Sequence, residues 1–491
     1  MTGTRAGTRR AAWGALTIAA AALLAGCAAP GDPVLLITID SLRQDEVHES
    51  REGQPVSPAL AALARESLEF RRAVSPAPWT TPAMMSILTG MPSRAHGVDE
   101  HDRALAPEVE LLAQRFQHAG YRTAAVVPAP TLRPEYGFSR GFEEYQFQDF
   151  GHLMRSSPKL TSRVLHLLER WRDEPFFVWV HLWDPHYNYV PPPPWDAAFS
   201  RGDTPEREDV QCLKWVENPV SPEEAEYFKG QYEGEIGYTD SHLAQILNQL
   251  DRLALAERTI VAVTADHGEA FLEHGFLGHT NRLDEPVIHV PLLIRRPGRV
   301  APGVVEQTVG TARLGRTLLR LAGIPHDHFG MAPALPLSPG AGEAGRRAAI
   351  SETRRRGCFT SVTDGVHKAV VDHRSCRWRL FDVSADPGEE HDLAGADEMT
   401  LDALKAALGE RLAAIDAEEI PHAALPQEIV EAAEEQLRSI GYVGGVSKDG
   451  TRNVVCADLP NVVGVDAFGD VLGAEPCPWT TARECLDRDM P

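Results

Sequence analysis

Separated stretches of this chain carry side chains able to hold a metal ion, move a proton or act as a nucleophile. Asp40 stands in Ile37-Thr38-Ile39-Asp40-Ser41-Leu42-Arg43, and Thr80 in Trp79-Thr80-Thr81-Pro82-Ala83-Met84. His181, Asp184 and His186 share His181-Leu182-Trp183-Asp184-Pro185-His186. Asp266-His267-Gly268-Glu269 is followed by Glu273-His274 and His279. Carboxylate and imidazole groups together suit a transition metal. An alcohol is a poor nucleophile at neutral pH and needs a metal to hold its alkoxide. Histidine is the side chain most easily tuned near pH 7 for proton transfer. Each residue also has an ordinary reading: Asp40 and Thr80 as caps or turn residues, Asp-His-Gly as a turn. His181 and His274 read as supports that orient neighbouring groups. Glu269 and Glu273 read as solvated or supporting, and Arg354-Arg355-Arg356 as an exposed charge run, with contact to an anionic substrate as the other reading. Trp79, Trp183 and Trp195 are placed either at the mouth of a site or in the core.

Three apolar runs read as strands buried on both faces: Val34–Asp40, Phe176–His181 and Thr259–Asp266. Each ends on a residue that can bind a metal or carry a proton. Ligands of doubly wound sheets sit beyond the carboxyl ends of the strands, so the three ends should converge on one crevice. Tyr121–Val127 predicts a further strand, and helical patterns cover Pro58–Ser67, Glu108–Ala119 and Glu223–Leu250. Pro82 suits the first position of a helix, making Thr81 its N-cap and leaving Thr80 just ahead. That helix N-terminus would face an anion. Pro191–Pro194 is a stiff loop at the rim. A short alternating pattern over Thr360–Val383 predicts a small antiparallel sheet, and acidic helices follow near 398–416 and 427–440. The expected fold class is α/β: a doubly wound, mostly parallel sheet sandwiched by helices, with a smaller C-terminal antiparallel-sheet subdomain. The expected division is 33–340 for the catalytic domain, 341–445 for the subdomain and 446–491 for an unassigned tail.

The 491 residues include 48 Lys+Arg against 70 Asp+Glu, a formal charge of −22, with 43% apolar and 24% charged residues. That composition excludes a disordered chain, a collagen-like chain and a multi-span membrane protein. With no basic surplus to neutralise phosphates, it also argues against a nucleic-acid binder. Residues 1–26 read as a targeting segment: Arg5, Arg9 and Arg10 precede an apolar run, Ala11–Ala25, too short to span a membrane. It ends in Leu24-Ala25-Gly26-Cys27, which resembles a bacterial lipoprotein cleavage box with Cys27 as the lipidated first residue. A simple secretory signal is the other reading. Both imply export, a membrane anchor in the first case, and a compartment where disulfides form. Six further cysteines remain, and Cys358–Cys376 and Cys477–Cys485 are the local pairs spacing offers.

The ordered motifs from Pro33 to Val443 resemble the sulfatase branch of the alkaline phosphatase superfamily. They include the stretches above and Gly120-Tyr121-Arg122-Thr123, Gly137-Phe138-Ser139-Arg140-Gly141-Phe142 and Leu380-Phe381-Asp382-Val383-Ser384-Ala385-Asp386-Pro387-Gly388-Glu389. The resemblance implies an alkaline phosphatase-like fold and one divalent metal at the sheet's carboxyl edge. It makes Asp40, Asp266 and His267 metal positions and Thr80 both nucleophile and fourth ligand. His186 falls where that family faces the leaving group, and His279 where it contacts the anion. Two-zinc relatives give Asp184, with His186 and His279, a place at a second metal.

Departures from the family pattern shape the expected chemistry. The formylglycine motif C/S-x-P-x-R is represented by Thr80, Pro82 and Met84, and Thr is not a substrate for that oxidation. Ser41 replaces the second Asp of the calcium-type set, and His267 stands where those enzymes usually offer Asn. An imidazole nitrogen suits Mn or Zn better than Ca, which prefers six to eight oxygens. The expectation is a hydrolase or transferase acting on a phosphate or sulfate ester, small or linked to a glycan or lipid. A sulfatase working without formylglycine is one alternative, and an inactive surface binding protein of the same fold is another. The residues name neither the substrate nor an oligomeric state, because specificity lives in loops such as Asp149–Lys159 and Pro191–Pro219.

Overall fold

The computed structural model of the chain describes residues 31–100, 102–147, 156–205, 210–213, 219–340, 348–354, 358–416, 423–432 and 485–486. The targeting segment with Cys27, most of 427–440 and nearly all of 446–491 lie outside the described residues.

The sheet at the centre has eight strands: β1 (Val34–Ile39), β2 (Leu68–Phe70), β3 (Arg122–Val127), β4 (Glu144–Phe147), β5 (Phe176–Leu182), β6 (Ile260–Ala265), β7 (Leu292–Arg295) and β8 (Gly303–Val305). Their spatial order is β8-β2-β7-β6-β1-β5-β3-β4. From β6 to β4 the strands run parallel, whereas β7 is antiparallel to both β6 and β2. Every residue of β1, β5 and β6 is buried, as continuous apolar runs covered on both faces should be.

Helices α1 (Pro58–Arg65) and α3 (Ser157–Arg170) pack on α4 (Pro222–Arg252), and α2 (Thr80–Thr89) packs against α5 (Leu314–Ala322). Pro222 opens α4 behind a capping box: Ser221 Oγ accepts from the Glu224 N–H at 3.2 Å, and Glu224 Oε2 accepts from the Ser221 N–H at 2.8 Å. A Cβ on Gly234 of α4 would lie 2.6 Å from the Trp195 carbonyl oxygen. That missing side chain lets the proline-rich segment after β5 lie on the helix. The helix expected over Glu108–Ala119 is shorter, Leu112–His118. Leu111 is extended there and its N–H is taken by Gln114 Oε1 at 2.9 Å, so the chain enters the helix at that point.

The C-terminal sheet is a four-stranded antiparallel meander, β9 (Ala349–Thr353), β10 (Phe359–Thr363), β11 (His367–Asp372) and β12 (Arg377–Asp382), with α6 (Glu398–Asp416) packed on it. Lys368 of β11 is fully buried and reaches back to the central domain. Its Nζ lies 3.1 Å from Glu285 Oε1 and 2.8 Å from Glu389 Oε1. Burial alone would lower its pKa, but Glu389 and Glu285 outweigh burial and raise it. Lys368→Met leaves the buried Glu389 and the partly buried Glu285 without their shared cation, so it should cost about 3–5 kcal/mol of stability. Denaturant unfolding measures this; an unchanged midpoint would refute Lys368 as the strut between the sheets.

The structure corrects two expectations here. Cys376 pairs with Cys485, 109 residues away, so neither local disulfide pair forms. Cys376 stands in the turn after β11 with its Cα 5.1 Å from that of Cys485, and proximity in space replaces proximity in sequence. Arg354 does not belong to an exposed run: its buried guanidinium lies 3.1 Å from Asp99 Oδ2.

Candidate active site

The site forms because parallel strands end level with one another. Pairing sets Ile39 of β1 beside Ala265 of β6, and Thr38 of β1 beside His181 of β5. Asp40 and Asp266, one residue past each strand, therefore emerge together at the carboxyl edge, both fully buried. Ser41 turns the chain away with φ 56°, an uncommon conformation for a side-chain-bearing residue. In that conformation its hydroxyl donates to Asp40 Oδ1 at 2.7 Å and its N–H to Asp266 Oδ1 at 3.2 Å. Ser41 thus orients the two carboxylates.

Thr80 meets this pair from the start of α2. The helix begins at Thr80 itself, with Trp79 as the extended residue before it, which corrects the expected start at Pro82. Proline is equally harmless at the third position, because the first-turn N–H groups have no intrahelical partner. Thr81 does not cap the helix either: its hydroxyl donates to the Thr131 carbonyl at 2.8 Å. Thr80 Oγ1 lies 3.3 Å from Asp40 Oδ2 and 3.5 Å from His267 Nε2. The free first-turn N–H groups and the helix dipole add positive potential at this hydroxyl.

His267 Nδ1 lies 2.9 Å from the Gly268 carbonyl, so it carries the proton and Nε2 presents its lone pair. Nε2 is 3.3 Å from Asp266 Oδ2 and 3.9 Å from Asp40 Oδ1. Burial pushes the Asp40 carboxyl up, but His186, His181 and His267 outweigh burial and hold it below the usual carboxylate range. Burial and the neighbouring Asp40 charge push Asp266 up. Asp266 Oδ2 is buried and accepts no hydrogen bond. Thr80 Oγ1 lies near both Asp40 Oδ2 and the bare His267 Nε2, and that nitrogen stands 3.3 Å and 3.9 Å from oxygens of the two buried carboxylates, spacings that suit shared ligation of one divalent cation. Ligands on tetrahedral bonds of about 2.1 Å stand roughly 3.4 Å apart.

A wall of rings continues from this centre. The His279 ring centroid is 4.1 Å from that of His267 and 5.1 Å from that of His186. Trp183 stacks on His186 at 4.0 Å, and Tyr187 stacks on His279 at 5.0 Å. His186 Nδ1 donates to the Tyr187 carbonyl at 2.7 Å. His279 Nδ1 is 2.9 Å from Glu269 Oε1. Glu269 is fully buried rather than solvated, and Glu273 pairs with Arg43 at 2.7 Å.

The sequence-derived residues Asp40, Thr80, His186, Asp266, His267 and His279 come together; Asp184 does not join them as a metal ligand. Its Oδ1 accepts from the Ser156 N–H at 2.7 Å and its Oδ2 from the Ser157 N–H at 2.9 Å, so it caps the N-terminus of α3. His274 sits apart with Asp284 and Glu389, beside the Lys368 ammonium. Residue types alone missed Glu269 as the partner of His279, since a Glu near a turn carries no mark of burial. They also missed Thr38 and Trp179, which hold His181. A signal for Thr38 existed: it is polar, within an apolar run, and shares a strand face with Asp40.

A family model described as Sulfatase matches residues 33–324, and the chain belongs to the sulfatase family. Iduronate 2-sulfatase of Mus musculus is 25% identical over 334 residues, covering 55% of this chain and 60% of that protein. N-sulphoglucosamine sulphohydrolase of Homo sapiens is 27% identical over 302 residues, 56% of this chain and 57% of the relative. The matches thus span less than two thirds of these curated relatives. Among solved structures, phosphonate monoester hydrolase of Agrobacterium radiobacter superimposes with a TM-score of 0.66 at 20% identity, over 80% of this chain and 100% of that one. That likeness confirms the fold: a large, parallel-rich sheet with helices and a small antiparallel sheet near the C-terminus.

Proposed function

We propose that this chain is a metal-dependent hydrolase or transferase acting on a phosphate or sulfate ester, with Thr80 as nucleophile. The supporting observation is the position of Thr80 Oγ1, at a helix N-terminus and 3.3 Å from Asp40 Oδ2. The related proteins are named for sulfate and phosphonate ester cleavage, and both reactions present a tetrahedral anion to an attacking oxygen. Asp40, Asp266, His267 and Thr80 would hold one divalent ion, with Mn or Zn favoured over Ca by the imidazole donor. When bound, that ion supplies a Lewis acid that offsets negative charge at the hydroxyl and on the ester. Thr80 Oγ1 loses its hydroxyl proton to solvent and forms the new bond to phosphorus or sulfur. The bond to the leaving oxygen breaks, and that oxygen takes a proton from His186 Nε2. Water or an acceptor alcohol then attacks the phosphorus or sulfur, gives its proton back to His186 Nε2, and breaks the bond to Thr80 Oγ1, which takes up a proton again. His279, held by Glu269, faces the anion. Met84 is fully buried in the apolar core, so no cation stands at the position where the formylglycine motif has its arginine.

A panel of matched aryl phosphodiester, phosphomonoester, phosphonate and sulfate substrates tests this reading with Mn- or Zn-loaded protein. Turnover highest on a phosphorus ester supports the phosphoryl reading; turnover highest on the sulfate supports a sulfatase that works through threonine. Protein that binds no metal and turns over none of them would favour an inactive binding protein. His186→Ala should lower kcat by about 10²–10⁴-fold on esters of poorly acidic alcohols. On an ester whose leaving group needs no proton the loss should be under about tenfold. Equal losses on both would remove His186 as the acid.

We further propose, from the Leu24-Ala25-Gly26-Cys27 stretch, that the protein acts outside the cytoplasm, anchored by lipid at Cys27, on small, glycan-linked or lipid-linked esters. The Cys376–Cys485 disulfide supports an oxidising compartment. Mass spectrometry of the mature N-terminus tests the anchor: an unlipidated Cys27 would refute it.

A further inference from the structure

Two buried histidines approach the Asp40 and Asp266 carboxylates in the same manner, and the family motifs account for only one. His267 turns Nδ1 to the Gly268 carbonyl and directs Nε2 at Asp266 Oδ2. His181 turns Nδ1 to Thr38 Oγ1 at 2.8 Å, and its Nε2 stands 3.1 Å from Asp40 Oδ2. The Thr38 hydroxyl accepts from Trp179 Nε1–H at 3.0 Å and lies 3.3 Å from the Val180 carbonyl. It can therefore receive the Nδ1 proton of His181 while giving its own proton to that carbonyl. Every donor and acceptor of the group is then used, and Nε2 is left with a lone pair. Metal-bound histidines almost always make such a hydrogen bond through the other nitrogen. One ligand atom each from Asp40, His181 and Asp266 lie within 4.8 Å of one another, and all three side chains are fully buried.

We propose that His181 is a further protein ligand of the site's divalent ion, through Nε2, with Thr38 and Trp179 fixing its tautomer. This rests on the metal-site reading above and extends it to a residue of β5. A His181 that merely oriented Asp40 would keep the proton on Nε2 and donate it to the carboxylate. The two arrangements differ in a countable property, the number of imidazole nitrogens on the ion.

The experiment loads the purified chain with Mn²⁺ and counts coordinated imidazoles by pulsed electron paramagnetic resonance, with ¹⁵N-histidine labelling to assign the nitrogen couplings. Two imidazoles are expected in the unaltered protein, one in His181→Gln and one in His267→Gln. Thr38→Val should retain two while weakening Mn²⁺ affinity by about 10–100-fold, as loss of an outer hydrogen bond does. A single imidazole in the unaltered protein overturns the proposal without any variant having to fold, and so does a count of two that persists in His181→Gln. Absence of Mn²⁺ binding altogether overturns the metal site as a whole, and the role of His181 with it.

Discussion

Thr80→Ala is expected to remove ester turnover almost entirely, with kcat falling on the order of 10⁴–10⁶-fold, the scale seen when a covalent nucleophile is deleted. Thr80 is 2% exposed and opens α2, where alanine is sterically acceptable. The fold should therefore survive, and the loss should be chemical. Thr80→Ser keeps the hydroxyl between Asp40 and His267 and should retain activity well above that of the alanine variant. The ordering Thr, then Ser, far above Ala separates a nucleophile from a packing residue. Acid quenching of the unaltered protein during turnover, followed by peptide mass spectrometry, should find phosphate or sulfate on Thr80. Normal turnover by Thr80→Ala would refute the covalent reading, because no other hydroxyl in the described site lies beside both Asp40 and His267.

The second large effect is expected from Asp266→Asn, and it has opposite signs with and without metal. In the metal-free protein, burial and the Asp40 charge push the Asp266 carboxyl above its unfolded value. Folding then favours the protonated form. The contribution of this group to stability is fully present below the ordinary carboxylate range and declines as pH rises through the raised folded value. Asparagine removes that decline, so the metal-free variant should equal or exceed the unaltered protein in stability at neutral pH. Saturating Mn²⁺ reverses the ranking. At one hundred times its Kd the ion adds about 2.7 kcal/mol to a protein that binds it only when folded. The variant, lacking one of two ligating carboxylates, should gain little. Activity should fall by about 10³-fold or more, the equivalent of several kcal/mol of charge stabilisation. Thermal unfolding of both proteins across pH 5–8, with and without Mn²⁺, measures all of this except activity. Equal Mn²⁺ stabilisation of the two proteins would place the ion elsewhere.

Much of this site was legible because a parallel sheet imposes a simple geometry on one-dimensional sequence. An apolar run that ends in Asp, or in His near Asp, places that side chain at the carboxyl edge whatever the loops do. The three apolar runs were therefore enough to bring Asp40, His181 and Asp266-His267 to one edge, the family resemblance added His186 and His279, and Pro82 marked the start of the helix carrying Thr80. Helix starts were less exact, because proline is tolerated throughout the first turn, so Pro82 marks a helix start without fixing its first residue.

Residue types limited the chemistry on offer to the Thr80 hydroxyl, the Asp40 and Asp266 carboxylates and several imidazoles. The tertiary structure alone decided which acids serve which bases. Asp184 and Asp266 both lie close to histidines in sequence. Asp184 accepts the N–H groups of α3, whereas Asp266 lies buried beside Asp40. His181 meets Asp40 through the register between β5 and β1, and Glu269 meets His279 through a loop that folds back on itself. Likewise, Cys376 finds Cys485 across 109 residues. Local sequence fixes which face of a strand a side chain occupies. Its hydrogen-bond partner depends on strand neighbours and loop paths, which many distant contacts set together.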